Sequence, residues 1–128
     1  MKCLVATLLV FMLSGCKQEA MPLDPRQQIL GKWETFYVGN GEYRPPIANP
    51  TGYQEFLPDS VLLEYTYADK TTYRRKYWID SLLHMGSMRE DGVWIMFDYD
   101  LQFNKDTMRL ERKNIFSIFG VSKHKRIN

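Results

Sequence analysis

Hydrophobic and polar residues alternate with a period of two along most of the chain beyond Gly31, the pattern of half-buried strands. The alternation recurs in Lys32 to Val38, Tyr53 to Leu57, Val61 to Tyr67, Thr72 to Ile79, Leu82 to Met88, Val93 to Phe103 and Met108 to Lys113. A last stretch, Ile115 to Arg126, is broken by Gly120 and reads as one bent strand or two. Turn residues separate the segments. Among them, Arg89-Glu90-Asp91-Gly92 places a glycine where a hairpin needs positive φ. Ahead of the first strand, Asp24-Pro25 predicts a single helical turn, with Asp24 as cap and Pro25 at its first position. About eight strands with short turns between them predict an all-β fold, an antiparallel up-and-down meander. Closing it into a barrel removes the exposed edges.

The pattern also predicts which faces are inside. In the longest segment Val93, Ile95, Phe97, Tyr99, Leu101 and Phe103 share one face. Asp98 and Asp100 lie on the other, so a slip of one residue would bury both aspartates. The same reasoning turns Val61, Leu63, Tyr65 and Tyr67 inward from the third strand, Tyr73, Tyr77 and Ile79 from the fourth, and Met108 and Leu110 from the seventh. Arg75 falls on the face of Tyr73 and Tyr77. Two readings are open for it: a rim residue reaching out to water, or an interior cation that needs an acidic partner.

Composition supports this picture. Eight Tyr, seven Phe and three Trp suit pleated, half-buried surfaces. The formal net charge of +2 argues against nucleic acid as a partner. Residues 17–70 carry five basic and eight acidic side chains, and residues 71–128 eleven and seven. Arg74-Arg75-Lys76 is the densest basic run. His84 and His124 are far apart, with no second His or Cys and no closely spaced carboxylate to make a metal site. No nucleophile elbow or phosphate loop is present. The expectation is a non-enzymatic protein without metal or cofactor.

The first sixteen residues stand apart. Lys2 precedes an uncharged apolar run from Cys3 to Leu13, and small residues Ser14 and Gly15 precede Cys16. The run is about half the ~20 residues that span a bilayer, but it matches a secretion signal. Leu13-Ser14-Gly15-Cys16 resembles the lipobox of bacterial lipoproteins. That resemblance implies cleavage before Cys16, acylation of Cys16 and stable anchoring by more than one chain. The predicted organisation is a signal peptide over 1–15, a lipidated tether over 16–28 and a barrel over 29–128. The predicted place is the cell envelope, anchored in the outer membrane. Lys17 disfavours the inner-membrane retention that an aspartate after the cysteine signals in some bacteria. With Cys3 removed and Cys16 lipidated, the mature domain has no free thiol and no disulfide.

Gly31-Lys32-Trp33 opens the first strand and resembles the Gly-x-Trp motif of lipocalins. The region from Ile29 onward looks like the small lipocalin-like domains of Gram-negative lipoproteins. The resemblance implies that Trp33 plugs one end of the barrel. It also implies an arginine from a late strand across the ring, with Arg126 the first candidate and Arg112 the second. The loop Gly39 to Gly52 is the one long connection, and its lipocalin equivalent lies over the open mouth. Two functions follow as expectations. In one, the barrel binds a small apolar or amphipathic ligand, with Tyr43, Tyr65, Tyr67, Tyr73, Arg75, Tyr77, Phe97 and Tyr99 as candidate contacts. In the other, the barrel is filled by its own side chains and serves as an interaction, accessory or inhibitor domain for an envelope protein.

Overall fold

A computed structural model describes residues 21, 23–113 and 119–128. The signal segment, Cys16 and the start of the Gly120-broken stretch, residues 115–118, lie outside them. A four-residue helix, α1 (Pro25–Gln28), is capped by Asp24, whose carboxylate accepts the Arg26 amide. Eight strands follow: β1 (Gly31–Gly39), β2 (Gly52–Phe56), β3 (Val61–Thr66), β4 (Thr72–Ile79), β5 (Leu83–Met88), β6 (Trp94–Asn104), β7 (Thr107–Arg112) and β8 (Val121–Ile127). Each pairs antiparallel with its neighbour, and β8 returns to β1, closing an up-and-down barrel. The tight turns use left-handed backbone at Ser60, Lys70, Gly92 and Lys105. Val93 belongs to the β5–β6 turn and is more than half exposed, not the first inward residue of β6.

Directly paired residues share a face, so the pairing carries the interior round the barrel. Trp33 faces Gln54, and Gln54 faces Glu64. Phe56 faces Leu62, and Leu62 faces Arg75. Tyr77, Met85 and Phe97 follow in register, then Leu83, Tyr99 and Arg112. Phe103, Met108, His124 and Thr35 complete the circuit. β6 therefore turns Phe97, Tyr99, Leu101 and Phe103 inward, and β4 turns Tyr73, Arg75 and Tyr77 inward, as the alternation predicts.

β3 departs from the prediction by one residue. Leu62 is fully buried and Glu64 lies inside, while Leu63, Tyr65 and Tyr67 face outward. The pattern favoured the tyrosine face because the opposite face carries a carboxylate. Inside the barrel that carboxylate has its partners. Arg75 lies 2.8 Å from Glu64, and Gln54 donates to it at 3.0 Å.

The apolar core fills the end where α1 enters. Ile29, Trp33, Phe56, Leu62, Leu83, Met108 and Leu110 are essentially without solvent contact. Phe103 packs on Trp33, and Phe56 meets Tyr77 edge-on. The Tyr77 hydroxyl donates to the Leu57 carbonyl, tying β4 to the end of β2. Arg126 stacks 4.2 Å over the Trp33 ring and donates to the carbonyls of Leu30 (2.7 Å) and Gln28 (2.6 Å). It thereby satisfies carbonyls freed where α1 stops. The Trp33 indole donates to the Ile29 carbonyl at 2.7 Å. Gly31 has φ of +115°, and a Cβ there would stand 2.9 Å from Arg126 Nη1. Backbone conformation and the close approach both require glycine.

Candidate functional site

The opposite end of the barrel is polar inside and incompletely zipped. β1 pairs with β2 only over Gly31–Glu34, so the two strands part above that point. A bulge in β1 falls between Thr35 and Tyr37. It leaves Thr35 facing in and turns Tyr37 out. There the Tyr37 hydroxyl donates to the Glu42 carbonyl at 2.6 Å and accepts from the Gly41 amide, while Lys123 covers the ring. The long 40–51 connection is held to the wall by these contacts and by the Ile47 amide, which donates to the Phe36 carbonyl. Beneath Ile47, a cavity of ≈380 Å³ opens onto Thr35, Gln54, Glu64, Tyr65 and Thr66.

Inside this upper half, polar groups form two clusters. In the first, Glu64 holds Arg75 and Gln54. Tyr99 lies beside them, and burial pushes its phenol above the ordinary range, with Arg112 and Arg75 partly opposing. The Arg112 guanidinium stacks 4.1 Å over Phe97. Gln54 Oε1 and Arg112 Nε are buried and have no hydrogen-bond partner among the described residues. In the second cluster, buried His124 bridges two hydroxyls, Thr35 at 3.0 Å from Nδ1 and Ser122 at 2.8 Å from Nε2. Burial depresses its pKa to about 4, so the ring is neutral at pH 7. An acceptor without a donor, a donor without an acceptor and a paired charge above an apolar floor suit a small ligand with a polar head.

The candidate residues of the sequence are spread over the interior, the rim, the 40–51 loop and the outer face. Arg75, Phe97 and Tyr99 lie inside the upper half, and Tyr77 inside the packed end. Tyr73 is inward-facing but 60% exposed at the rim. Tyr43 projects from the 40–51 loop at 95% exposure. Tyr65 and Tyr67 are outside, grouped with Tyr53: Tyr53 and Tyr65 stack at 5.0 Å, and the Tyr67 hydroxyl donates to Glu34. Sequence reasoning missed Thr35, Gln54, Glu64 and Arg112 as site residues. Glu64 was legible as the acidic partner that an interior Arg75 demands.

The sequence offers His84 no carboxylate at metal-ligand spacing, but the fold gives it two carboxylate partners: its Nδ1 lies 2.6 Å from Asp98 and its Nε2 2.9 Å from Asp80. Asp80 precedes it by four residues, and Asp98 stands opposite it on β6. Both bonds favour the imidazolium, so the pKa is raised, Asp98 contributing most. Trp78 stacks on the ring at 4.9 Å. The group lies on the outer wall and does not join the interior site.

No protein-family model matches the chain. A search of curated proteins likewise finds no match.

Proposed function

We propose that the protein is a lipid-anchored component of a bacterial envelope, tethered through Cys16, whose barrel binds a small amphipathic molecule. The observation that carries the binding reading is the pair of buried, unpartnered atoms, Gln54 Oε1 and Arg112 Nε. Buried polar groups ordinarily have partners, and leaving one without costs about 1–3 kcal/mol. A ligand that accepts from Arg112 and donates to Gln54 relieves both. Phe97 and the apolar floor then receive its hydrocarbon part. Entry lies under the 40–51 loop, where β1 and β2 part. The resemblances to the lipobox and to Gly-x-Trp support the tether and the barrel's lineage.

The test is titration of the soluble 17–128 fragment with an amphipathic fluorescent probe. Binding is expected, weakened by Arg112→Leu and altered in affinity or release rate when residues 41–50 are shortened. A probe that does not bind overturns the reading.

One observation favours a second reading. Tyr53, Tyr65 and Tyr67 form an outward aromatic cluster beside Lys32, which sits 5.1 Å over Tyr53. Such a surface suits a protein partner. In that case the barrel is an interaction or inhibitor domain, and cross-linking on intact cells identifies what it touches.

A further inference from the structure

The barrel wall parts a second time, between β4 and β5. Their pairing runs only from Lys76–Gly86 to Ile79–Leu83. Above it, residues 72–75 of β4 pair with β3 alone, and residues 87–88 of β5 pair with β6 alone. On the outside of this parting lies a cleft of ≈610 Å³. Its apolar wall is made by Val61, Met88 and Trp94, with Met88 56% exposed. Gly86 lies beside them, and an added Cβ there would press on Met96 and come 3.3 Å from the Trp94 ring. Without a side chain at Gly86, Trp94 and Met96 pack close to the β5 backbone.

The charges of the cleft are unequal. Arg75 reaches it from the interior face but is already paired with Glu64. Arg74 makes no ion pair among the described residues, and Lys76 lies 4.7 Å over the Trp94 ring without a carboxylate. Asp59 also lines the cleft and offsets one of these two cations. One positive charge remains, beside exposed hydrocarbon. That combination complements a monoanion carrying an apolar chain.

We propose that this cleft is a binding site for the headgroup of a single-chain anionic amphiphile. Arg74 and Lys76 hold the carboxylate or other monoanionic head. The first part of the chain lies along Trp94 and Met88, and the remainder passes between the unpaired edges of β4 and β5 toward Ile95 and Phe97. This rests on the amphiphile-binding reading above and adds a second, lateral point of capture to it.

The experiment uses the full-length chain in membranes and a photoreactive fatty acid with a diazirine on its chain. Analogues with an alcohol head and a trimethylammonium head serve as comparisons. Labelled peptides are mapped by mass spectrometry. The carboxylate probe is expected to label the segments containing Val61, Met88 and Trp94 and to exceed the alcohol there. Arg74→Gln and Lys76→Gln are each expected to lower that labelling roughly tenfold, the loss of one charge-assisted contact. The double variant R74E/K76E is expected to prefer the trimethylammonium probe, a gain that a misfolded barrel does not give. Equal labelling of the cleft by carboxylate and alcohol overturns the proposal. Carboxylate labelling that is confined to the 40–51 mouth and indifferent to Arg74 and Lys76 also overturns it, while leaving interior binding intact. No labelling at either place overturns both.

Discussion

Gly31, Trp33 and Arg126 act as one unit at the closed end. The glycine makes room for the guanidinium, the guanidinium covers the ring, and the ring fills the barrel's end. Trp33→Ala removes a fully buried side chain against Phe103 and strips Arg126 of its platform. The expected cost is about 3–5 kcal/mol, read from denaturant melts of the 17–128 fragment; a cost under about 1 kcal/mol would contradict a plug. Trp33 was legible because Gly-x-Trp is contiguous. Its partner Arg126 lies ninety-three residues away, and only a resemblance pointed to it. His124 carried no sequence signal, since its environment is assembled from β1 and β8. Its folded pKa of about 4 lies below the ordinary 6.5. Below pH 6.5 the unfolded chain binds the proton and the folded chain resists it. Stability is thus fullest above pH 6.5 and falls by up to roughly 3 kcal/mol as the pH drops toward 4. His84 acts in the other sense: its raised pKa adds stability below 6.5 that is lost as the pH rises through its folded value. His124→Gln is expected to flatten the acid side of the stability profile, measured as denaturant midpoints between pH 7 and 4. An unchanged acid slope counts against a buried neutral ring.

At the scale of strands, the alternation places β1 to β7 within a residue or so, because turn chemistry and period-two burial agree along most of the chain; the stretch read as Ile115 to Arg126 contains β8 only from Val121, past the Gly120 break. The long β6 was assigned to the correct face because one face carries two aspartates, and these are outside, Asp98 on His84 and Asp100 on Lys113. β3 lacked such a decisive contrast. One of its faces offered two tyrosines and the other a leucine, a glutamate and a threonine, and hydrophobicity alone chose the wrong one. What decides its register is a residue on the next strand: Arg75 makes an inward Glu64 tolerable. The bulge in β1 was illegible for a similar reason, since nothing local in Thr35-Phe36-Tyr37 announces it. A double-mutant cycle tests the pairing. Glu64→Gln and Arg75→Gln together are expected to reveal a coupling of about 1 kcal/mol at low ionic strength, weakening with added salt. Zero coupling at low salt would mean that hydrophobic packing around Leu62 suffices to hold β3 in place.

For the whole molecule, the barrel has two unlike ends, and the chain enters at the packed one. Asp24 precedes α1, and Gln28 to Leu30 lie against Trp33 and Arg126. Cys16 stands eight residues before Asp24, and eight extended residues reach at most about 28 Å. An acyl anchor on Cys16 would therefore keep the packed end within about that distance of the bilayer, with the 40–51 mouth at the opposite end of the barrel and the β4–β5 cleft on its flank. Such an arrangement suits a protein that takes an amphiphile from the aqueous side or passes it along its wall. It depends on processing at Leu13-Ser14-Gly15-Cys16. The apolar run before that site is too short to span a bilayer by itself, so in the proposed reading the acyl chains supply the anchor. Intact-mass analysis of membrane-extracted protein is expected to find residues 1–15 absent and Cys16 heavier by a diacylglyceryl group, with or without a further acyl chain. Cys16→Ser is expected to remain unprocessed and to lack that added mass. A product that retains Met1, or whose Cys16 is unmodified, removes the anchor and with it the reason for either end to face the membrane.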